Sequence, residues 1–483
     1  MNSLLDPITR FFATVTGNAI SLAGSALTTV TAFLFLLLFS IHLVSEHGAS
    51  PYLGILTFLI LPGLFLLGLV LIPLGLWRAR KRRREAIAED DPAPEFAVLD
   101  FNRPTVRRTA LVFVAATGIN ALILGVGTYK GVEVMESTQF CGAACHKVMH
   151  PEYTTYQRSP HARVKCVECH IGAGANWFVK SKLSGSWQLV SVALNLYPRP
   201  IAVPVHNLRP ARETCEQCHW PQKFVGDRVK VNTHFQEDEA NTEVKTVLVV
   251  KVGGRQSGRS QGIHWHVDPD HVVRYRSDEK RQTVYEVEMV AKDGTRRTFR
   301  GPAADSPEGK KATEWRVMDC VDCHNRPTHI YRAPEQELDA ALFDRRIDPA
   351  LPFVRREGLK ALQVEYPTPD AAREGLANAI AGFYRQSYPQ VATEKAAQVE
   401  AAGKALGDIW NWNVFPEMNI KWGTYRNHLG HAQDMSNEVG CFRCHDEQHA
   451  TKEGKAISQD CATCHSLLAQ DEKDPAILKT LTQ

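Results

Sequence analysis

Long stretches without charged residues dominate the first part of the chain. Three of them contain no Asp, Glu, Lys or Arg: residues 11–45, 47–77 and 109–129. A helix needs about 20 mostly apolar residues to cross the hydrocarbon core of a bilayer, so each stretch is long enough. The pattern predicts three transmembrane helices and a membrane anchor over residues 1–130.

Charges in the connecting loops predict how these helices are oriented. Loop 78–108 contains Arg78-Ala-Arg-Lys-Arg-Arg-Arg84 and three further arginines, whereas the turn at 46–51 has no Lys or Arg. Cytoplasmic loops are enriched in basic residues, so loop 78–108 is expected in the cytoplasm. Everything after Tyr129 is then expected on the periplasmic side of a bacterial cytoplasmic membrane.

The pattern changes twice beyond the anchor. Alternating β-branched residues at 244–252 and 283–290, with a Lys-Asp-Gly-Thr turn before 296–299, indicate β-strands and a hairpin. Residues 334–425 are rich in Ala, Glu, Leu, Lys and Arg at helical spacing, as in 371–383. We expect a small β-rich insertion at 228–317 and a helical connector at 334–425.

All twelve cysteines fall in pairs that run directly into a histidine. The six motifs, numbered one to six in chain order, are Cys141/Cys145/His146, Cys166/Cys169/His170, Cys215/Cys218/His219, Cys320/Cys323/His324, Cys441/Cys444/His445 and Cys461/Cys464/His465. The first has three residues between its cysteines and the others have two. Two thiols about one helical turn apart can add to the two vinyl groups of one porphyrin, and the adjacent imidazole can bind its iron. The spacing is typical of covalent c-type haem attachment.

Zinc ribbons or disulfides are the alternative for paired cysteines. Zinc does not require a histidine directly after the second cysteine, and only 19 of the 483 residues are histidine, so six coincidences are not expected. Six motifs therefore predict six haems: three in 131–227, one in 318–333 and two in a C-terminal unit at 426–483. The fold class is a mainly α, loop-rich multihaem cytochrome c. The net charge of +3 is too small to indicate nucleic-acid binding.

The region around the first two motifs carries a family resemblance. Met149 follows motif one and Ser159-Pro-His161 precedes motif two. In this order the residues resemble the NapC/NirT family of membrane-anchored, quinol-oxidising cytochromes c. The tetrahaem pattern of that family maps onto about 108–227 plus 318–331, under half of the chain. Three membrane helices, six motifs, the β insertion and the widened motif one depart from it.

The resemblance implies roles for particular residues. Met149 would be the thioether ligand of haem one, His161 would ligate haem four and His329 haem three. A Lys and Asp pair near the quinol site of some members is half present, because Lys182 fits but the position seven further on is Leu189. His150 and Glu152 are further candidates for contacting the quinol head group.

Several histidines remain for the other irons. For haem two the choice stays open among His206, His234, His264, His266 and Lys182. His264 and His266 would lie on one side of a strand if that segment were extended. For the C-terminal pair the nearest candidates are His449, His428 and His431. These histidines suffice to fill the sixth position of every iron.

A filled sixth position favours electron transfer over catalysis, since an open iron is what admits substrate. The sequence predicts a hexahaem cytochrome that oxidises menaquinol or ubiquinol and relays electrons to a redox partner outside the cytoplasmic membrane, in anaerobic respiration. The first alternative is a multihaem reductase of nitrite, hydroxylamine or a sulfur oxyanion with an open iron. The second is a fixed electron-wire subunit of a larger respiratory complex.

Overall fold

The chain divides into two units, Met1–His146 and Lys147–Gln483. The computed structural model describes residues 18–44, 56–86, 101–144, 146–172, 175–205, 209–220, 226–256, 259–432 and 439–481. Cys145 and His206 lie outside these residues, and the side chain of His146 is also not described.

The first unit is helical. Its elements are α1 (Ala19–Val44), a π-helical turn (Leu56–Ile60), α2 (Leu61–Ala86), α3 (Pro104–Met135) and a second π-helical turn (Phe140–Ala144). Among the described residues, two segments are long and apolar enough to cross a membrane: Ala19–Ser40, with mean hydropathy 2.1, and Leu61–Ala79, with mean hydropathy 1.8. The third predicted span falls within the 32-residue helix α3.

Helices α1 and α2 pack closely through small residues. A Cβ atom added to Gly68 would lie 2.8 Å from the backbone nitrogen of Thr28, and one added to Gly75 would lie 2.6 Å from that of Ser21. The Ser21 hydroxyl also donates to the Ile72 carbonyl at 3.0 Å. In a bilayer, van der Waals contact and hydrogen bonds of this kind hold helices together.

Gly68→Ala is therefore expected to destabilise the α1–α2 pair by about 1 to 3 kcal/mol, because the added methyl group has no room. The measurement is loss of helicity during an SDS titration of the detergent-purified protein. Gly63→Ala in the same helix is the matched control, since nothing lies within 4 Å of the added Cβ atom. Equal midpoints for the two variants would contradict the packing described here.

The described residues of the second unit form short helices, three sheets and a helical subdomain. Its helices are α4 (His146–Gln157), α5 (Cys166–His170), α6 (Ala175–Ala193), α7 (Ala211–Cys215), α8 (Pro307–Lys311), α9 (Cys320–Cys323), α10 (Pro334–Phe343), α11 (Val354–Leu362), α12 (Pro369–Ser387), α13 (Pro389–Glu394), α14 (Ala396–Asn413), α15 (Cys461–Cys464) and α16 (Ala476–Leu481). Its strands are β1 (Arg228–Phe235), β2 (Glu243–Val250), β3 (Gly254–Gln256), β4 (Arg259–Gln261), β5 (His271–Ser277), β6 (Val284–Ala291), β7 (Arg296–Arg300), β8 (Arg316–Val317) and β9 (His465–Glu472). Short 3₁₀ helices span Ile263–Val267, Pro416–Met418 and Gly440–Arg443.

The strands predicted at 244–252, 283–290 and 296–299 are present as β2, β6 and β7. Gly294, at φ +85°, forms the turn between β6 and β7. The sheets have the orders β1-β2-β9, β3-β4 and β7-β6-β5-β8, and the pairings are antiparallel. Strand β9 begins at His465 of motif six, so a strand from the end of the chain completes the first sheet. The β-rich segment is therefore integrated with the C-terminal motifs.

The helical connector predicted from composition forms α10 to α14 around its own aliphatic and aromatic core. Trp410, Tyr384 and Leu406 are almost completely buried, and Phe235 of β1 packs against the same cluster. Helix α12 begins after Thr368, whose hydroxyl accepts the amide of Ala371 and so satisfies one free donor of the first turn. This is the most extensive hydrophobic core in the described part of the chain.

A buried ion pair joins this core to helix α4. Glu337 of α10 is fully buried, and both of its carboxylate oxygens accept from Arg158 Nη2 at 2.7 Å. Arg158 follows the last residue of α4, and its guanidinium lies 4.1 Å from the centre of the Trp412 ring. Removing one partner of a buried pair leaves an uncompensated charge, which is far more costly than losing an exposed pair.

Arg158→Met is therefore expected to destabilise α10 by about 3 to 5 kcal/mol. Hydrogen exchange of the α10 amides, read by mass spectrometry, should accelerate by roughly a hundredfold or more. The control is Arg373→Met, which removes the partner of the exposed Asp370 and should leave exchange nearly unchanged. Similar exchange in both variants would show that the Glu337 pair does not hold this helix.

Candidate haem-binding sites

The attachment motifs lie on short helical turns. Motifs two, four and six coincide with α5, α9 and α15, motif five lies on the 3₁₀ turn Gly440–Arg443, and motif three begins where α7 ends. In motifs three, four and five the amide of the histidine donates to the carbonyl of the first cysteine at 2.8, 2.8 and 3.0 Å. This bond closes one helical turn and holds both sulfur atoms and the imidazole in one local frame, as attachment to a single porphyrin requires.

The cysteines of these motifs differ in exposure and in local conformation. Cys169, Cys218 and Cys461 are exposed, whereas the other described cysteines are partly buried. Cys218 departs from the helical arrangement expected of both thiols, because α7 ends at Cys215 and Cys218 lies in the turn that follows. Its amide donates to the Cys215 carbonyl at 3.1 Å, which closes a tighter, three-residue turn. The two cysteines of motif three are therefore joined by a hydrogen-bonded turn that follows α7, and haem attachment at all six motifs stays a prediction.

Asp319 fixes the start of motif four. Its side chain accepts the amide of Cys320 at 2.7 Å, and it also accepts the amide of Ala211, at the start of α7, at 2.9 Å. The carboxylate therefore caps α9 and links it to the helix that leads into motif three.

Among the residues that the structure describes, four pairs of histidine rings have a centroid spacing that suits one iron between them. A metal–imidazole bond is about 2 Å long and the ring centre lies about 1 Å beyond the nitrogen, so two axial imidazoles have centroids about 6 Å apart. The observed pairs and centroid distances are His170–His329 at 6.3 Å, His161–His219 at 6.0 Å, His266–His445 at 5.8 Å and His431–His465 at 6.3 Å. Each pair contains one motif histidine and one histidine from elsewhere. The residues therefore fit bis-histidine haems at motifs two, three, five and six.

Hydrogen bonds from Nδ1 support these four pairs. Ligating histidines characteristically donate one ring N–H to a carbonyl or carboxylate, which fixes the tautomer and leaves the other nitrogen for the metal. The bonds from Nδ1 to carbonyl oxygen join His161 to Pro327 at 3.3 Å, His329 to Glu152 at 2.9 Å, His266 to Ile263 at 2.8 Å, His431 to Ala432 at 2.9 Å and His445 to Ser458 at 2.7 Å. In all five, Nε2 is the nitrogen left to face the partner ring.

The pairing of His161 and His329 differs from the one implied by the resemblance. His161 lies opposite motif three instead of motif four, and His329 lies opposite motif two instead of motif three. The segment after motif four is held against α4, because Arg326 Nη2 donates to both oxygens of the Glu152 carboxylate, at 2.8 and 2.9 Å. Because Arg326 is only three residues from His329, this contact places His329 close to motif two.

Glu152 is consequently a poor match to the quinol contact expected of it. Its side chain is only 13% exposed, and it lies between Arg326 and the Nδ1 atom of His329, which is 3.1 Å from one carboxylate oxygen. Burial and the neighbouring carboxylate raise the pKa of the Tyr331 hydroxyl, which lies 3.5 Å from Glu152. The acidic residue serves to orient a candidate iron ligand.

The other candidate quinol contacts are more exposed. His150 Nδ1 lies 3.6 Å from a Glu417 carboxylate oxygen, and this polar contact holds the pKa of Glu417 below its ordinary value. Lys182 and Leu189 both lie on α6, the helix with Leu183 and Trp187 exposed. Met149 lies on α4 and packs against a cluster that contains Val148 and Phe415.

His449 does not fit the role of distal ligand. It is 2% exposed, its Nδ1 lies 3.0 Å from both carboxylate oxygens of Asp446, and its Nε2 lies 3.1 Å from the Val284 carbonyl. An axial ligand needs one ring nitrogen for the metal, and both are engaged here. His449 was expected to be a ligand because it lies close in sequence to motif five. In the structure its hydrogen bond to Val284 joins that motif to strand β6.

His428, a candidate ligand for the C-terminal pair, lies beside motif four. Its amide donates at 3.0 Å to the Asn325 side chain, which directly follows His324. The imidazole is buried, and within the described part of the chain its Nδ1 atom has no hydrogen-bond partner. Burial lowers the pKa of His428 to about 4, with Arg443 and Arg426 adding to the effect.

His264 and His266 lie on a 3₁₀ turn, so the expectation of a shared strand face is wrong. Strand β4 ends at Gln261, and Gly262 adopts φ +74° in a place where a Cβ atom would lie 2.5 Å from the Lys251 carbonyl. A positive φ without room for a side chain requires glycine and ends the strand. His266 faces motif five, not motif two.

Motifs two to six are adjacent in chain order. In the following pairs, cysteines of successive motifs lie near enough for their charges to interact: Cys169 with Cys215, Cys215 with Cys320, Cys323 with Cys441 and Cys441 with Cys464. Arg443, within motif five, donates to the backbone carbonyls of Asp322 at 2.7 Å and of Arg281 at 2.5 Å. One side chain thus fastens motif five to motif four.

The Asp322 side chain forms a buried cluster that sequence reasoning missed. It accepts from the Tyr275 hydroxyl at 2.6 Å and from Arg316 Nε at 2.8 Å, and it is 2% exposed. Burial, reinforced by the carboxylate, raises the pKa of Tyr275. The sequence offered one sign that motifs four and five would be in contact. Each has a charged residue between its cysteines, Asp322 in motif four and Arg443 in motif five.

A hydrophobic anchor followed by haem-attachment motifs with opposed histidines defines a multihaem c-type cytochrome. Residues 103–199 match the N-terminal region of the NapC/NirT cytochrome c family. The chain is 41% identical over 457 residues to the cytochrome c-type protein ImcH of Geobacter sulfurreducens, covering 94% of this chain and 88% of that protein. It is 33% identical over 118 residues to the cytochrome c-type protein NrfH of Wolinella succinogenes, covering 24% of this chain and 64% of that one.

The chain belongs to the NapC/NirT family of membrane-anchored cytochromes c. Haem c, electron transport and membrane anchoring follow from that membership. No solved structure shows significant similarity to it.

His431→Ala is expected to convert one low-spin haem to a high-spin haem, because it removes the ring opposite His465. The change should appear as a new high-spin ferric signal in electron paramagnetic resonance and as added CO binding by the reduced protein. His449→Gln is the comparison, since it keeps a hydrogen-bonding side chain at a site that does not face a motif histidine. A new high-spin haem in His449→Gln but not in His431→Ala would reverse the assignment.

Proposed function

We propose that the protein is a hexahaem cytochrome that takes electrons from menaquinol or ubiquinol and relays them to a redox partner outside the cytoplasmic membrane, in anaerobic respiration. The observation that carries the proposal is the set of four opposed imidazole pairs, arranged along motifs that adjoin one another in chain order. Bound haem c supplies reversible one-electron chemistry at iron.

The opposed imidazoles favour a relay over a reductase. A side chain in the sixth position excludes substrate, whereas reduction of nitrite, hydroxylamine or a sulfur oxyanion requires an open iron. Carbonyl partners on Nδ1 hold the rings of His161, His266 and His329 in place. Rigid axial ligands of this kind suit a site whose geometry must change little between oxidation states.

Electron entry at motif one follows from its position in the chain. Cys141 lies six residues after α3 ends at Met135, and its amide donates to Ser137 at 3.1 Å. If α3 is the third membrane helix, this motif lies at the membrane surface on the periplasmic side. Lys182 and His150 are the candidates for contacting the quinol head group, and Met149 is the candidate thioether ligand of haem one.

Electrons would leave the protein at motif six, the last motif of the series. Cys464 of motif six lies near enough to Cys441 of motif five for their charges to interact, and strand β9 continues directly from His465. The terminal pair extends the four-motif pattern of the family by two haems. The partner protein would accept electrons there.

Quinol-dependent haem reduction in membranes tests the proposal. A menaquinol or ubiquinol analogue should reduce the haems, and a quinol-site inhibitor should prevent it. Lys182→Gln is expected to slow reduction by about tenfold or more, since a hydrogen bond to a charged group is worth about 1.5 to 3 kcal/mol.

Lys180→Gln provides the matched control on the same helix. Lys180 lies over the Trp177 ring at 5.1 Å, and its replacement should leave the rate nearly unchanged. Equal slowing in the two variants would remove Lys182 from the site. Failure of both quinols to reduce the wild-type protein would overturn the proposed function.

A further inference from the structure

We infer that helix α6 lies along the membrane surface and contacts phospholipid through an exposed apolar stripe made of Leu183, Trp187, Val190 and Leu194. The stripe is a second contact with the bilayer, separate from the hydrophobic N-terminal anchor, and the lipid that it meets includes anionic phospholipid. The inference goes beyond the proposed function, because it requires neither quinol nor electron transfer.

The four residues of the stripe lie on one side of the helix. They are four, three and four residues apart, which at 3.6 residues per turn keeps them within an arc of about 60°. Leu194 directly follows α6, and its amide donates to the Val190 carbonyl at 3.0 Å, so it continues the last turn. Leu183, Trp187 and Leu194 are 70%, 63% and 64% exposed, and Val190 is 45% exposed. A row of large, exposed apolar side chains marks an interaction surface.

The opposite side of α6 packs on the protein, which fixes the direction of the stripe. Val192 lies about 200° around the helix from Val190. It packs against the cluster that contains Val148 of α4, and Ile201 belongs to the same cluster. The Ile201 carbonyl also accepts from the Tyr425 hydroxyl at 3.0 Å. The helix is therefore held from one side, and its apolar stripe points outward.

The charges around α6 complement an anionic bilayer. No Asp or Glu occurs between Glu168 and Glu213, whereas the same segment contains five Lys or Arg residues. Lys182 precedes the stripe and Arg199 follows it. Arg199 is exposed, and its Nη2 donates to the Tyr197 hydroxyl at 2.9 Å. An apolar helix face with basic residues beside it is typical of helices that lie on anionic membranes.

Membrane anchoring makes a bilayer the apolar surface most available to this stripe. The family anchors its members in the membrane, and the second unit begins at Lys147, directly after the unit that contains the apolar helices α1 and α2. A contact within a tethered molecule is favoured by its high effective concentration, so a few apolar side chains suffice. A protein partner would have to be recruited from solution without this advantage.

The size and composition of the stripe suit a helix that lies on the membrane instead of crossing it. From Leu183 to Leu194 it extends about 16 Å, roughly half the thickness of the hydrocarbon core. The ring of Trp187 is amphipathic, and tryptophan prefers the boundary between hydrocarbon and head groups. The same contact would bring Lys182 to head-group level, which suits the quinol contact proposed for it.

The decisive experiment identifies the molecule that touches the stripe. Val190→Cys in the full-length protein is labelled with a benzophenone maleimide and irradiated in nanodiscs of phosphatidylcholine and phosphatidylglycerol. Mass spectrometry should detect phospholipid adducts severalfold more often than for Gln188→Cys labelled in the same way. The wild-type protein, which has no added cysteine, gives the background from native thiols that are not attached to haem.

Gln188 is the matched control because it is exposed on the same helix but lies about 200° around it from Val190. Leu183→Cys provides a second position within the stripe and should give the same result as Val190→Cys. Phosphatidylglycerol should form a larger share of the adducts than its share of the disc. Arg199→Gln should reduce that excess, because it removes a positive charge at the end of the stripe.

Three outcomes would overturn the inference. One is equal phospholipid capture at positions 188 and 190, and another is capture at position 190 only of the protein itself or of haem. The third is a phosphatidylglycerol share that equals its share of the disc, which would remove the anionic lipid. Quinol-dependent reduction is measured separately on the wild-type protein, so its failure would count against the proposed function and leave the lipid contact intact.

Discussion

The pairing of imidazoles at a spacing that suits one iron is the constraint on which most of the second unit depends. Each motif fixes one imidazole locally, within a single turn, but the opposing ring has to come from another segment. His170 is met by a residue that follows motif four, and His445 by a residue of the β-rich segment. With haem iron bound, each such pair would be a long-range connection that limits the freedom of the unfolded chain, as a metal clip does. Regions around the motifs can consequently be rich in loops, while aliphatic packing is concentrated in α10 to α14.

Polar groups near the motifs mainly keep these imidazoles in position. Glu152 is held by Arg326 and borders His329, and carbonyl oxygens accept the Nδ1 protons of the distal candidates. Such outer partners set the tautomer and orientation of a ligand, which matters as much as its presence. Glu152 is poorly suited to contacting quinol for the same reason. Its carboxylate is already paired with Arg326 and lies beside His329.

Local features of the fold were predictable from sequence, and long-range ones were not. Attachment motifs, the strands β2, β6 and β7 and the helical connector follow from spacing and periodicity, which act over a few residues. Ligand pairing depends on which segments fold together. His449 is four residues from His445, yet Asp446 and Val284 occupy its nitrogens, whereas His431 reaches motif six from before motif five. The sequence also did not predict that the strand ends at Gly262. Glycine is required there because the backbone of Lys251 lies close to it, and that contact is visible only in the folded structure.

Two features are added to the four-motif pattern of the family: the β-rich segment and the C-terminal pair of motifs. Each depends on the other for its structure. A series of redox centres can be lengthened only if the new members are held at a fixed distance from the old ones. Motifs five and six have no long hydrophobic helix of their own in the described residues 439–481, and β9 is completed only by pairing with β2. The short C-terminal segment cannot fix its own position. Strand pairing and the Arg443 contacts to Asp322 and Arg281 hold it against the earlier motifs. A C-terminal pair without the β-rich segment would lack both its sheet partner and the His266 ring that lies opposite His445. The insertion and the extra motifs are therefore best understood as one structural extension.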